Sequence, residues 1–581
     1  MLEPIVKELL ELHSGVELRV RTGDPAVYER CMVHADLCHH IADLIARIKI
    51  GGGAGVASEL NFCLYCRSRL SSISVPAGFI RANFPYRDPM EDLQNAYFWR
   101  SLESGEDQEL FFEETGNRFT ILHLLPGWHT SSCSPPDAMH LLYLGAANWI
   151  LKQVVMGPNL LAPRLPNSPN PVDVYNAALE DDLWLPYSVG RLPPKLGQSR
   201  GRIKADQLKL MSKLMFVLFY LAMRDGDDLS EVNAPRGTKS STGGKHQLKR
   251  AKLLHKLRLK HFTTIGRPHL APSLAECFPS RSLTRHYRQI LRFCVATSIL
   301  DSRAISPAMI CFSQNLLEAL AVEYTRMNVQ LSPTFHYMQH LEDSMLQTGS
   351  LGNTHVWAME RANGDVSKIR HNGRGKGVLE GTLMRGWWEH ASLQKLIQRF
   401  RALPNRTPAD EAIIDDLFPG PHMPDSMEFK NQLVSRTNQH PFVWTELYGV
   451  LLSISATRFG LTLSLTGYAM ARIIIHRGNV HAMAILMAAS CAAFLYPRSG
   501  TGIPVAYMAH LGAQHWEYNQ LSELVAIPVK DFSGIFALLR VPMSYGEYWV
   551  TVSLNNLEPE EEDHNDYDEG EWIRWCVFTV L

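Results

Sequence analysis

From Glu3 to Leu12 the apolar residues Ile5, Leu9, Leu10 and Leu12 fall close to helical spacing, and Val16 to Val20 alternates as a short strand does. Cys31-Met-Val-His-Ala35 is a brief apolar run that ends on Asp36, the pattern of a buried strand with an acid at its tip. Ile41–Ile50 then has helical character and stops at Gly51-Gly52-Gly53, which reads as a flexible turn. Residues 158–201 are rich in Pro, Asn and Ser and are expected to be a connector or an ordered excursion outside the core. Asp206–Met223 is apolar on nearly every side and predicts a deeply buried helix; Arg285–Leu300 and Phe312–Val329 continue the helical pattern. Beyond about Gly420 the rhythm changes to short apolar runs, such as Leu521–Val529 and Gly534–Val541, which predict β structure. The longest apolar run, Ala482–Tyr496, is shorter than the roughly 20 residues of a membrane span and is expected to be a buried helix.

Composition narrows the classes. The 581 residues are 46% hydrophobic, enough for sizeable cores and incompatible with a wholly disordered chain or a small disulfide scaffold. Ten cysteines are sparse at this length, and no secretory leader precedes the first helix, so the thiols are expected to be reduced and intracellular. With 57 Lys+Arg against 58 Asp+Glu, a basic surface has to be local. One such surface is offered by Arg236, Lys239, Lys245, Lys249, Arg250, Lys252, Lys256, Arg258 and Lys260, a run without an acid, expected as a loop leading into a basic helix. It can neutralise DNA phosphates, and it fits a solvated surface or a nuclear-import signal equally well. The acidic stretch from Glu558 to Glu571 is expected to be a solvated loop.

Four local patterns could carry chemistry. Asp36 could hold a metal over a sheet edge, though Asp is also an ordinary strand terminator. Cys63-Leu-Tyr-Cys66 supplies half of a tetrahedral zinc site, whose remaining ligands would be His or Asp from elsewhere, His140 foremost. Asp137-Ala-Met-His140 follows two prolines and equally fits a helix N-cap. In Trp357-Ala-Met-Glu360-Arg361, the carboxylate on an apolar background suits a metal or a phosphate-bound site, and a surface ion pair as well.

Taken in order, the helix Glu3–Leu12, Asp36, Cys63-x-x-Cys66, Asp137-x-Met-His140, Lys204-Ala-Asp206-Gln207 and Trp357-Ala-Met-Glu360-Arg361-x-Asn363-Gly364 resemble the transposases of CACTA (En/Spm-type) DNA transposons of basidiomycete fungi. The likeness runs from Met1 to about Trp388. The resemblance implies a mostly α, α+β protein with a ribonuclease-H-like core interrupted by a large helical insertion. It implies a DDE acid triad that holds two Mg²⁺ ions for phosphodiester cleavage and strand transfer. Carried over by motif, Asp36 is the second catalytic acid and Glu360 the closing one, their carboxylates within reach of a shared metal pair. Cys63, Cys66, Asp137 and His140 would brace the insertion, with zinc as the candidate ion.

In the family the first catalytic Asp precedes the helix matched by Glu3–Leu12, so the resemblance implies an incomplete triad and no transposition by this polypeptide alone. The alternative is a domesticated, non-catalytic DNA-binding or interaction protein. Either reading implies a nuclear protein with DNA, specifically transposon ends, as partner, a homo-oligomeric state compatible with that role, and no membrane association. The DNA contacts would come from Lys249, Arg250, Lys252, Lys256, Arg258, Lys260, Arg361 and Lys368. Four segments are expected: a partial core over 1–157, the connector and helical insertion over 158–330, the closing-Glu segment over 331–419, and a partly β region with the acidic loop over 420–581.

Overall fold

The computed structural model describes residues 2–22, 27–164, 168–185, 195–197, 203–302, 304–371, 378–401 and 407, and, farther on, 471–476, 479–487, 513–517, 521–528, 536–544 and 546–554. The first segment carries α1 (Glu3–Ser14), β1 (Val16–Thr22), β2 (Val27–Val33) and α2 (Leu44–Ile50). It continues with α3 (Pro89–Ser101), α4 (Gly105–Thr115) and the single turn α5 (Thr130–Cys133). Wide π-type turns follow over Met139–Ala147 and Ile150–Met156. Next come α6 (Pro171–Ala177), the short strands β3 (Leu183–Trp184), β4 (Arg224–Asp225) and β5 (Asp228–Leu229), and between β3 and β4 the helix α7 (Ala205–Met223). Then come α8 (Thr242–Thr264), α9 (Leu283–Leu300) and α10 (Pro307–Arg326). The helical part closes with α11 (Pro333–Tyr337), α12 (Leu341–Thr348), α13 (Trp357–Lys368) and α14 (Val378–Arg401). The last strands are β6 (Ala471–His476), β7 (Asn479–Met487), β8 (Ala513–Glu517), β9 (Leu521–Pro528), β10 (Phe536–Met543) and β11 (Gly546–Ser553). The class is α+β, mostly α, as the periodicity predicts.

α7 is the axis of the packing. Beyond its first turn it is apolar on nearly every side, so Leu214, Phe216, Leu218 and Phe219 are all buried and its neighbours close round it: α6, α9 and the π-type turns. α9 and α10 pack side by side, and this main core takes residues from each of the four expected segments, from Ile48 to Leu351 and again at Ala537–Val552. The C-terminal contribution comes through a four-stranded sheet in the order β3-β10-β11-β8, in which Leu538 pairs with Trp184 of the connector. Residues of the Pro-rich excursion are therefore part of the fold's interior.

Two strand expectations change. β2 pairs only with β1, in register Val16↔Val33 to Thr22↔Val27, and the ribbon lies at the surface, with Met32 63% exposed. Asp36 thus follows a surface ribbon rather than a buried strand: among the described residues the ribbon has two strands, so Met32 and His34 are exposed and Cys31, Val33 and Ala35 only half-buried. The run that begins at Ala482 is not helical over its described part. Residues 479–487 form β7, the middle strand between β6 and β9, because apolar runs of this length satisfy a buried strand as well as a helix and two flanking partners complete the ladder. The acidic stretch Glu558–Glu571 and most of Phe442–Tyr496 lie outside the described residues.

Glycine has a specific task at the turn after α2. Gly52 has φ +79°, and a Cβ there would stand 2.3 Å from the Arg118 carbonyl oxygen, so this turn is buried and packed rather than free. The connector is held by Arg281, which is 4% exposed and donates to the carbonyls of Ala234, Pro158, Asn159 and Pro235 at 3.3, 2.9, 2.7 and 2.6 Å. Burial and Arg236 push its guanidinium down to about 10, which still leaves it charged at neutral pH. Replacing it with methionine takes this donor from the carbonyls of Ala234, Asn159 and Pro235, while Pro158 keeps Gln247 Nε2 at 3.0 Å; Arg281→Met is expected to lose about 3 kcal/mol or more of unfolding free energy, measured by urea denaturation.

Candidate metal centre and the His140 cluster

The chain around Cys63 and Cys66 is folded back on itself by bonds between Arg67 N–H and the Pro85 carbonyl and between Arg87 N–H and the Tyr65 carbonyl. Buried Arg87 fastens this loop from below, donating to the Cys63 carbonyl at 3.1 Å and to Asn61 Oδ1 at 2.8 Å. Facing it, α11 runs directly into the turn Met338–His340, so His336 and His340, four residues apart, project from one side. The approach of this helix requires Gly145 in the π-type segment: a Cβ there would lie 2.6 Å from Thr334 Cγ2.

The result is a buried set of four donors. Cys66 Sγ lies 3.2 Å from His336 Nε2, Cys63 Sγ lies 3.5 Å from His340 Nε2, and all four ligand atoms fall within 4.8 Å of one another. Tetrahedral zinc with Zn–S of about 2.3 Å and Zn–N of about 2.05 Å puts sulfur and nitrogen ligands roughly 3.5 Å apart, so the set has the dimensions of a closed structural zinc site. The spacings C-x₂-C and H-x₃-H belong to the same class.

The surroundings suit an ion as well. His336 Nδ1 is 3.3 Å from the Gly78 carbonyl, and His340 Nδ1 is 3.6 Å from Asp343 Oδ2, which leaves Nε2 of each ring for the metal. Phe84 packs against both imidazoles and Phe62 against His336, so the site is dry. Burial works against a thiolate at Cys66, but the Cys63 thiol and the two histidines hydrogen-bond to it and hold it well below the usual thiol range. Burial, with Cys66 beside it, pushes Cys63 up. Cys63 thus favours its thiol form, and binding an ion through both sulfurs would draw its proton off.

His140 is not a member of this set, contrary to the sequence expectation. It belongs to a second cluster, built by Asp137. The Asp137 carboxylate accepts the backbone N–H groups of Met139 and His140 at 3.2 and 3.0 Å, capping the π-type helix, and accepts the N–H of Val356, at the start of α13, at 3.0 Å. The same carboxylate holds His140 Nδ1 at 2.5 Å. Because Asp137 grips both segments, α13 is delivered with Glu360 Oε1 at 4.0 Å from His140 Nε2. The Asp137 hydrogen bond, against the opposing effect of burial, raises His140 above the ordinary imidazole value, and Glu360 and Asp43 add to the rise.

Asp36 is exposed and bound to His13 Nδ1 at 2.6 Å, and Glu360 meets His140; no polar contact joins the two acids. Among the described residues neither acid belongs to a group of three or more His, Cys, Asp and Glu side chains placed to share an ion. The acid that the fold brings into the field of His140 is Asp43, the N-cap of α2, whose side chain accepts from Ala46 N–H at 2.8 Å. The sequence carried a sign of this: the tripeptide Ala35-Asp36-Leu37 recurs as Ala42-Asp43-Leu44. His336 and His340 also had a legible sign in their spacing, but 270 residues separate His336 from Cys66.

The basic run divides on α8. Lys245, Lys249, Lys252, Lys256 and Lys260 are exposed, with Lys260 3.2 Å from Glu59. Arg258 is buried and donates to the Ser74 and Thr325 carbonyls and to Asn328 Oδ1, so its guanidinium is engaged within the fold. Arg250 is turned inward too, bonding Gln330 at 2.8 Å and lying over the Trp149 ring. On α13, Arg361 is exposed and Lys368 pairs with Asp365 at 2.8 Å. No helix among the described residues is long and apolar enough to cross a membrane. No protein-family model matches this chain, and no curated protein is significantly similar to it.

Two outcomes are expected. Purified protein should contain one zinc per chain by elemental analysis, and Cys63→Ser/Cys66→Ser should lose it, with the unfolding midpoint falling by roughly 10 °C or more. Asp137→Ala should lower the His140 titration midpoint followed by NMR. Since His140 titrates above its unfolded value, the Asp137–His140 pair stabilises below about pH 6.5, and that contribution disappears as pH rises through the folded midpoint. The pH-dependent part of the loss in Asp137→Ala should therefore be largest at acid pH.

Proposed function

We propose that this chain is a transposase-derived, DNA-binding protein braced by a structural zinc ion, working as a binding module rather than as a strand-transfer enzyme. The observation that carries this reading is the convergence of motifs. The C-x-x-C, D-x-x-H and W-x-x-E-R elements lie far apart in sequence. Yet Cys63 and Cys66 meet the helix that starts at Pro333, and Asp137 and His140 meet Val356 and Glu360. Chance likenesses would not be expected to assemble in this way. The ribonuclease-H-like core and the fungal CACTA origin rest on the resemblance of the motifs in Met1–Trp388.

The lysine face of α8 is the surface best suited to DNA. Spacings of 4, 3, 4 and 4 residues keep Lys245, Lys249, Lys252, Lys256 and Lys260 within a sector of about 80° along roughly 22 Å of helix. Ammonium groups in such a row act as point charges on a phosphate backbone, giving affinity without sequence readout. The non-catalytic reading is favoured because the contacts of Glu360 lead to His140 and those of Asp36 to His13, and among the described residues the two acids share no group of ligands that could hold an ion.

Duplex binding followed by anisotropy over a salt series tests the reading. Lys249→Gln/Lys252→Gln/Lys256→Gln should bind at least ten-fold more weakly and flatten the log K against log salt slope by about 2 to 3. Asp36→Asn and Glu360→Gln should bind as the wild type does. An unchanged salt slope in the lysine variant would return α8 to an ordinary solvated helix. Mg²⁺-dependent nicking of plasmid that Glu360→Gln abolishes would replace the binding-module reading with a catalytic one.

A further inference from the structure

Away from both clusters, the outer faces of α9 and α10 and the residue Ile80 border a cleft of about 650 Å³. Its charged lining is Arg285, Arg288 and Arg292 from α9, with Glu318, Glu323 and Arg326 from α10. The three arginines of α9 are three and four residues apart, so they lie along one helical face, and that face is the wall of the cleft. Arg326 enters from the end of α10, beside the start of α9.

The charges do not cancel. Glu323 is taken up by Arg285, whose Nε and Nη2 donate to it at 2.9 and 2.7 Å. Glu318 accepts the Arg81 backbone N–H at 2.9 Å. Arg292 is steadied by Gln289 Oε1 at 2.8 Å. Arg288 and Arg326, both exposed, have no hydrogen-bond or ion-pair partner among the described residues. Four guanidinium groups against two carboxylates leave two positive charges over, on a partly apolar floor of Ile80, Ala319 and Val322.

We infer that this cleft binds phosphate groups, two or more at a time, presented by a nucleic-acid backbone or by a free polyphosphate. The guanidinium fork matches phosphate oxygens in pairs, which an ammonium does not. The excess of positive charge excludes a cation, and a lone carboxylate would use one of the free arginines and leave the other. Among the described residues that line the cleft there is no aromatic ring on which a base could stack, so the phosphates and not the bases are the groups recognised. The size is that of an ordinary small-ligand site. The inference stands apart from the zinc centre and from the lysine face of α8.

Tripolyphosphate binding measured by calorimetry and duplex binding measured by anisotropy, both on the full chain, test it. Arg288→Gln/Arg326→Gln removes side chains without partners, and circular dichroism and zinc content should match the wild type. Its affinity for at least one of the two probes should fall roughly ten-fold or more. A loss on the duplex, with tripolyphosphate displacing duplex from the wild type, identifies a nucleic-acid backbone as the occupant. A loss on tripolyphosphate alone identifies a free polyphosphate. The Lys249→Gln/Lys252→Gln/Lys256→Gln protein should keep its tripolyphosphate affinity, which separates this cleft from α8. Wild-type protein that binds neither probe, or a double arginine variant that binds both as tightly as the wild type, overturns the inference.

Discussion

The meeting of Cys63 and Cys66 with His336 and His340 is the constraint on which the rest of the architecture depends. It joins positions 270 or more residues apart and does so with ligand atoms already at coordination distances. A closure of that length costs the chain much entropy, though the cost grows only slowly with loop size. An ion held by the four donors would offset that cost, because the binding free energy of a site absent from the unfolded chain is folding free energy. Everything between the two halves has to fit inside the closed loop, including α7, α8, α9 and α10.

The second cluster inherits its geometry from the first. α11 continues into α12, and the short connection that follows brings Val356 to the Asp137 carboxylate. One acid thereby satisfies donors at the start of two helices, 219 residues apart in sequence, and fixes the imidazole of His140 as well. Asp137 is 3% exposed, so its charge is sustained by those N–H donors and by His140 rather than by water. The π-type turns beginning at Met139 belong to the same arrangement. Wider turns displace the backbone, and Gly145 supplies the missing side chain that lets Thr334 come close.

Much of the helical fold was legible, and its physical basis is periodicity. Asp206–Met223, apolar on nearly every side, is expected to be interior, and the helical stretches Arg285–Leu300 and Phe312–Val329 fall within or largely overlap α9 and α10, which starts five residues earlier at Pro307. What sequence could not decide was partnership. Asp36 and Asp43 sit in the same tripeptide context, and only the fold distinguishes the one that ends beside His13 from the one near His140. The Cys63–Cys66 pair announced half of a metal site, but proximity in sequence favoured His140 over the two histidines that the fold delivers. The run from Ala482 was read as a helix because apolar content alone does not reveal whether strands wait on either side.

The basic segment shows why residue type matters more than charge count. Arg250 and Arg258 point into the protein, where flat guanidinium groups satisfy several carbonyl and amide oxygens at once and can lie over an aromatic ring. The lysines of the same helix, with compact and strongly hydrated heads, remain at the surface. A sequence reading that pools the two types overestimates the cationic surface of α8 and misses the arginines of α9, which are spread thinly enough to look like ordinary helix residues. Their significance comes from the neighbour: Glu323 of α10 pairs with Arg285 and Glu318 accepts the Arg81 backbone N–H, while Arg288 and Arg326 are left facing the cleft with no ion-pair partner among the described residues. Charge that is free to bind a partner is charge that folding leaves unpaired, and among the described residues Lys249, Lys252 and Lys256 on α8 and Arg288 and Arg326 at the cleft are of that kind.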